Sequence, residues 1–278
     1  MKTNNPFIFY EYMKYPIPSP SWYFMYWEKI NNQQIQTNKH KASWENQSVL
    51  FDEYRTIINK RKNIFRYIPF INEVYVCNSF SFNGLSQQSD IDLFIICRDW
   101  FIWRARFRSL LIFTILNIKR CTNITKKRFC LSFYVTNKNK WLYHIAHQTD
   151  IYLAYWLAHL IPIYYINKSK KNTIYQSNKR ITSYLPNFPL FHVFDVDINP
   201  AYWKTRRIKR IENLLSTKLW ILLQKSLKII RLPIILYKKK KLGKSWKKII
   251  ISNTMLKFYK DKRSYYNFFI ARIISRKK

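Results

Sequence analysis

Acidic residues are scarce in this chain: 14 Asp and Glu stand against 50 Lys and Arg, a formal charge of +36 over 278 residues. That imbalance predicts attraction to polyanions, with RNA, DNA and anionic membrane surfaces all eligible. Abundant Lys, Asn, Ile, Tyr and Phe are also what an AT-rich coding sequence yields, which accounts for many lysines without a binding role but not for the shortage of acids. Cysteine is sparse as well. Cys77, Cys97, Cys121 and Cys130 lie far apart and lack paired metal-ligand spacing, so they are expected to be reduced thiols in a cytoplasmic protein. Three of them fall in expected strands, where a small buried thiol is ordinary. The opening MKTNNPFIFYEYMKYP lacks a signal-peptide pattern, because Glu11 and Lys14 interrupt its apolar stretch. Long apolar runs are missing too. Ile151–Ile166 carries no Asp, Glu, Lys or Arg, yet it is short for a span and contains His159 and Pro162. It is therefore expected as a buried helix, without stable membrane insertion. There is no internal repeat. What is present is a core: 48% hydrophobic and 18% aromatic content excludes a disordered polyampholyte, and this length can bury a sizeable interior.

The chain is organised around Val74 to Cys97, VYVCNSFSFNGLSQQSDIDLFIIC. Val74–Cys77 reads as a strand, and Asn78-Ser79 comes next, where a strand can turn into a helix N-terminus. Backbone N–H groups and a Ser hydroxyl at such a turn can hold a phosphate. A polar connector from Asn83 to Ser89 leads into Asp90-Ile91-Asp92 and the apolar run Leu93–Cys97, a central strand. Alternation puts Asp90 and Asp92 on one side and Ile91, Leu93 and Ile95 on the other. Two carboxylates aimed at one point repel unless a cation sits between them, and Mg²⁺ or Mn²⁺ suits carboxylate oxygens combined with substrate phosphates.

Asn78-Ser79, the connector and Asp90-Ile91-Asp92 together resemble the Gly-Ser and Asp-x-Asp signature of the DNA polymerase β-like nucleotidyltransferase superfamily. Further similarity to bacterial nucleotidyltransferase-domain proteins of about this length lies in Ile68-Pro69, Trp103–Arg106, Cys130-Leu131-Ser132 and Tyr184-Leu185-Pro186-Asn187. The resemblance implies an α/β (α+β) fold: a nucleotidyltransferase-type mixed sheet flanked by helices, with an N-terminal helical or winged-helix-like module over 1–45, a nucleotidyltransferase domain over 46–190 and a basic, aromatic-rich helical region over 191–278. It implies transfer of a nucleoside monophosphate from a nucleoside triphosphate such as ATP to an acceptor hydroxyl. In that reading Asp90 and Asp92 are catalytic and hold Mg²⁺ or Mn²⁺, while Asn78, Ser79 and Arg104 bind the nucleotide's phosphates. Two departures stand out. Asn78 replaces the motif's Gly, and Asn is the next most tolerant residue of left-handed φ. A third carboxylate is not evident: the strand Phe129–Val135 offers Ser132 in its place, and Asp195-Val196-Asp197 lies far along the chain. Both departures favour an alternative, a catalytically degenerate module that binds nucleic acid or nucleotide.

Elsewhere the pattern predicts a helix from Ala42 to Ile64 with Val49, Phe51, Tyr54, Ile57 and Ile58 as one face. An Arg-bearing helix over Trp100–Ile118 would bring Arg104, Arg106 and Arg108 to the carboxyl end of the catalytic strand, where ligands bind open α/β sheets. Arg120–Arg128 is a basic connector, Trp141–Leu160 reads as helical, and Lys168–Lys179 as a loop. His144 and His147 stand one turn apart but lack a third ligand at zinc spacing, which favours a structural or surface role. From Tyr202 to Lys278 basic clusters alternate with Trp203, Trp220, Tyr237 and Trp246. That interleaving suits either nucleic acid or an ordinary aromatic core under solvated lysines.

Overall fold

Val74–Cys77 and Leu93–Cys97 are nearly continuous apolar runs, the pattern of strands covered on both faces. The computed structural model, which describes residues 38–82, 84–121, 123–147, 150–170, 173–183, 198–215, 233 and 249–258, places them side by side in one sheet. In chain order the elements are helix α1 (Asn38–Arg61), strands β1 (Ile71–Cys77) and β2 (Ile91–Cys97), helix α2 (Ile102–Ile115), strand β3 (Phe129–Thr136), helix α3 (Ile151–Ala158), strand β4 (Ile161–Tyr165), the short helices α4 (Thr173–Ser177) and α5 (Lys179–Thr182), strand β5 (Ala201–Tyr202), helix α6 (Arg206–Leu215), and strands β6 (Ile250–Ile251) and β7 (Met255–Lys257). The sheet has seven strands in the order β5-β4-β1-β2-β3-β7-β6, with β2 at its centre. It is mixed: β1 runs antiparallel to β2 and β4, whereas β2 and β3 are parallel. The expectation of a mixed α/β sheet flanked by helices is met.

Each face of the sheet carries its own core. Val74, Val76, Ile91, Leu93 and Ile95 pack with Tyr54 and Ile58 of α1 and with Trp103 and Phe113 of α2. Tyr75, Phe94 and Ile96 pack on the other side with Leu153, Trp156 and Leu157 of α3 and Ile174 of α4. Full burial of one such side chain contributes about 1.5–3 kcal/mol, so the central strands are held mainly by this two-sided covering. In α1, Tyr54 and Ile58 are buried as the helical period requires, but Val49 is 63% exposed and belongs to the solvent side.

Three sequence expectations are corrected. The helix read over Trp141–Leu160 starts only at Ile151, because Asp150 caps it: its carboxylate accepts the Leu153 N–H at 3.0 Å and the His147 N–H at 3.1 Å. The apolar run Ile151–Ile166, expected as one buried helix, is α3 and then strand β4. Pro162 cannot continue a helix, and it pairs opposite Tyr75 beside a register shift where a missing N–H is tolerated. The expected loop Lys168–Lys179 contains α4, which buries Ile174 and Tyr175. Among the described residues no helix is long and apolar enough to cross a membrane.

Residues 191–278, expected as helical, supply β5, β6 and β7 to the sheet as well as α6. Helix α6 is fastened by a buried ion pair: Lys204 Nζ donates to Glu212 Oε1, which also accepts the Phe70 N–H. Phe70 has φ 65°, stacks on Phe101 at 4.2 Å, and leads into β1. Burial pushes the Lys204 ammonium below its ordinary pKa, against the opposing pull of Glu212. Residues 1–37 of the N-terminal module expected over 1–45 lie outside the described residues, as do Tyr184–Asn187, Asp195, Asp197, Trp220, Tyr237 and Trp246.

Removing one partner of a buried pair leaves an uncompensated charge, so Glu212→Ala is expected to cost about 3–5 kcal/mol in chemical denaturation. The double variant Lys204→Met/Glu212→Gln, which keeps an acceptor for the Phe70 N–H, is expected to lose less than half of that. Equal losses would show that the charge pair is not what fastens α6.

Candidate functional site

Asp90 immediately precedes β2 and Asp92 is its second residue. The loop in front of them is pinned from two sides. Tyr54 of α1 donates its hydroxyl to the Ser89 carbonyl, and the connector before β3 contributes Lys127 N–H to Ser89 O at 3.0 Å. Ile91 N–H then bonds the Arg128 carbonyl at 2.8 Å, which starts the parallel pairing of β2 with β3. Ile91, Leu93 and Ile95 join one core and Phe94 and Ile96 the other, so the expected division of faces holds and Asp92 shares the face of Phe94.

The neighbours of Asp92 across the sheet are both cysteines: Cys77 on β1 and Cys130 on β3. The Cys77 thiol donates to the Asp92 carbonyl at 3.6 Å. Cys130 does more. A carboxylate oxygen from each of Asp90 and Asp92 and the Cys130 Sγ all lie within 4.8 Å of one another. The third group of this cluster is Cys130 rather than Ser132, whose Oγ lies 3.2 Å from the Cys130 thiol. The cause is a register shift: Asp92 pairs with Cys130, but Phe94 pairs with Phe133, so β3 carries an extra residue. That bulge keeps Cys130 beside Asp92 and returns Phe133 to the face of Phe94.

Asn78 completes the arrangement. Its φ is 60°, the left-handed region anticipated for a residue standing in for Gly. Its amide donates to Asp92 Oδ2 at 2.9 Å, and its carbonyl oxygen accepts Trp156 Nε1–H of α3 at 3.0 Å. Asn therefore does something Gly cannot: it relays the position of a core tryptophan to the catalytic candidate. Beyond Asn78 the chain makes a turn rather than the expected helix, closed by Phe82 N–H to Asn78 O at 2.9 Å. Phe80, stacked on Phe51 at 4.5 Å, anchors this turn in one core, and Phe82 anchors it in the other. Ser79 is half-buried in the same turn, and its carbonyl accepts the Gly84 N–H at 2.8 Å.

Arg104 is elsewhere. The carboxylates are at the amino end of β2, and α2 begins beyond the carboxyl end of this seven-residue strand, about 20 Å away. There Arg104 is buried, its guanidinium 5.4 Å from the Phe101 ring and 6.0 Å from that of Phe70. Arg106 lies over Phe258 at 4.1 Å. These arginines tie α2 to its surroundings and do not join the aspartates. The basic residue that does is Arg120, from the connector: its Nη1 is 2.7 Å from Asp90 Oδ2 and 3.7 Å from Cys130 Sγ. Nothing in the sequence marks Arg120 among its basic neighbours, since the contact depends on how the connector runs beside β3. His144 and His147 are exposed and join no cluster with a third ligand among the described residues.

Burial, and next the charge of Asp90, push the Asp92 carboxyl up to about 6, against the lowering effects of its bonds from Asn78 and Cys130 and of Arg120. Burial likewise raises both thiols, Cys77 and Cys130. All four cysteines are free, with Cys121 exposed. Comparison with protein-family models, curated proteins and solved structures returned no match.

A raised carboxyl pKa favours the protonated form in the fold; the associated stabilisation is complete below the ordinary value of 3.8 and is lost as pH rises through about 6. In chelator-treated buffer at about pH 8, Asp92→Asn is therefore expected to be more stable than the wild type by on the order of 1–3 kcal/mol. The gap should close on acidification. A difference in melting temperature that is constant across this range would contradict the upward shift that burial and the Asp90 charge give Asp92.

Proposed function

We propose that the chain is a nucleotidyltransferase that moves a nucleoside monophosphate from a nucleoside triphosphate to an acceptor hydroxyl, with release of pyrophosphate. The observation that carries the reading is the convergence of Asp90, Asp92 and the Cys130 thiol within 4.8 Å beside a left-handed strand-end turn. Two carboxylates that repel each other, one of them with a raised pKa, fit a divalent cation. Mg²⁺ or Mn²⁺ bound there would neutralise charge developing on the phosphates and lower the barrier to in-line attack. The mixed sheet with antiparallel β1–β2 and parallel β2–β3, and the strand-turn-strand passage from Asn78 to Asp92, support the nucleotidyltransferase type of fold.

The residues then take separate tasks. Asp90 and Asp92, held side by side at the start of β2, would hold the cation through their carboxylate oxygens. Asn78, braced by Trp156, holds one Asp92 oxygen so that the carboxylate keeps its orientation. Ser79 lies in the turn that would meet the β and γ phosphates. Cys130 stands at the third position, but burial favours its neutral thiol, a poor donor to a hard cation, so the two carboxylates would carry the binding of Mg²⁺ or Mn²⁺. The net charge of +36 suits a polyanionic acceptor such as an RNA end, and four free cysteines suit a reducing cytoplasm.

A second reading is favoured by one contact, the Arg120–Asp90 ion pair at 2.7 Å. If Arg120 permanently replaces the cation, the domain is a binding module with steeply salt-dependent affinity for nucleic acid and no transfer.

The deciding assay offers labelled ribonucleoside triphosphates and mixed RNA with Mg²⁺ or Mn²⁺. Incorporation by the wild type is expected to fall at least about 100-fold in Asp90→Asn and in Asp92→Asn, without loss of folding. Label retained by both variants would refute the enzyme. RNA retention without incorporation by any of the three proteins would replace it with the binding module.

A further inference from the structure

Resting on the metal-site reading above, we propose that Arg120 is a displaceable resident cation: it holds the carboxylate cluster closed in the absence of metal and moves to the triphosphate when metal and nucleotide enter. The ion pair with Asp90 Oδ2 is 2.7 Å long, with the Asp90 side chain 15% exposed and that of Arg120 46% exposed. The guanidinium also reaches Cys130 Sγ at 3.7 Å, so it covers two members of the trio at once. A cation coordinated by the same Asp90 oxygen would stand within about 4–5 Å of the guanidinium, given metal–oxygen bonds of about 2.1 Å. Two like charges at that distance, beside a partly buried carboxylate, do not share the site.

The architecture tells which part moves. The Arg120 main chain is fixed, its N–H bonded to the Phe129 carbonyl at 2.9 Å, while Phe129 N–H returns to Ile118 O at 2.9 Å. Only the half-exposed side chain is at liberty to swing, and its swing leads outward from the cluster. A planar guanidinium pairs with phosphate oxygens in two-toothed fashion, which an ammonium does not. The residue that blocks the metal in the empty protein therefore serves the nucleotide in the filled one. In this role Arg120 is a positioning residue that also weakens metal binding without nucleotide.

The test uses the full chain and two probes. Mn²⁺ alone, monitored by electron paramagnetic resonance, reports the cluster; α,β-methylene ATP with Mn²⁺, monitored by calorimetry, reports the nucleotide. Arg120→Ala is expected to bind Mn²⁺ alone about 10-fold more tightly than the wild type and the nucleotide analogue about 10-fold more weakly. Arg120→Lys, which keeps the charge but not the fork, should leave Mn²⁺ affinity near the wild-type value and still weaken the analogue. Changes of opposite sign are not produced by simple loss of structure. If the wild type binds Mn²⁺ through Asp90 and Asp92 but Arg120→Ala binds it no better, the displaceable cation is refuted while the metal site stands. If neither protein binds Mn²⁺ at millimolar concentration, the metal site fails and this inference fails with it.

Discussion

The structure depends on a repulsion. Asp90 and Asp92 are forced to the same side of the central strand by the two-residue period of β structure, and the partly buried setting denies them water to screen each other. A fold keeps such an arrangement only if it supplies compensation, and here it does so in layers. Asn78 gives Asp92 an amide hydrogen, Arg120 gives Asp90 a guanidinium, and the raised pKa of Asp92 records first its burial and then the repulsion these leave. In the proposed reading, a divalent cation completes the balance.

The sheet separates duties by its ends. At the amino end of β2 the polar chemistry gathers: a half-exposed arginine, a turn, a carboxylate pair. At the carboxyl end the charges serve structure, with Arg104 over Phe101 and Phe70, and Lys204 paired with Glu212 beside the Phe70 N–H. The two ends are joined by the apolar runs Val74–Cys77 and Leu93–Cys97, and the charge buried beside them is partnered, as Glu73 is by Lys140 and by the Tyr75 hydroxyl. Among the described residues, basicity belongs to the surface and the loops; the interior uses only those cations it can partner.

Legibility differs from residue to residue. The aspartates, their shared face and the left-handed Asn78 are readable from local rules, alternation and φ tolerance, which need no knowledge of neighbours. Helices α1 and α2 are readable from apolar spacing, although that spacing puts Val49 on the wrong side. The failures share a cause. Strand β4 reads as helix because a short apolar run fits either state until a partner strand is known. Sequence favours Arg104 over Arg120 only if nearness to the strand along the chain means nearness to the aspartates, whereas Arg104 lies past the opposite end of β2. Cys130 reads as an ordinary buried thiol, since its place beside Asp92 rests on a parallel register and a bulge between strands separated by a helix.

By itself the sequence determined the paired carboxylates on one strand face and a residue tolerant of left-handed φ at Asn78, because these arise from steric and periodic constraints within a few residues; the mixed α/β class was implied by the resemblance its motifs carry. The tertiary structure alone decided that Trp156 braces Asn78, that Cys130 and not Ser132 meets the aspartates, that Arg120 is the cation at their side, and that residues beyond 190 close the sheet. Those contacts join groups far apart in the chain, Asn78 with Trp156 and, across the sheet, Phe133 with Lys257, and long-range register is fixed by the packing of whole faces rather than by any local preference.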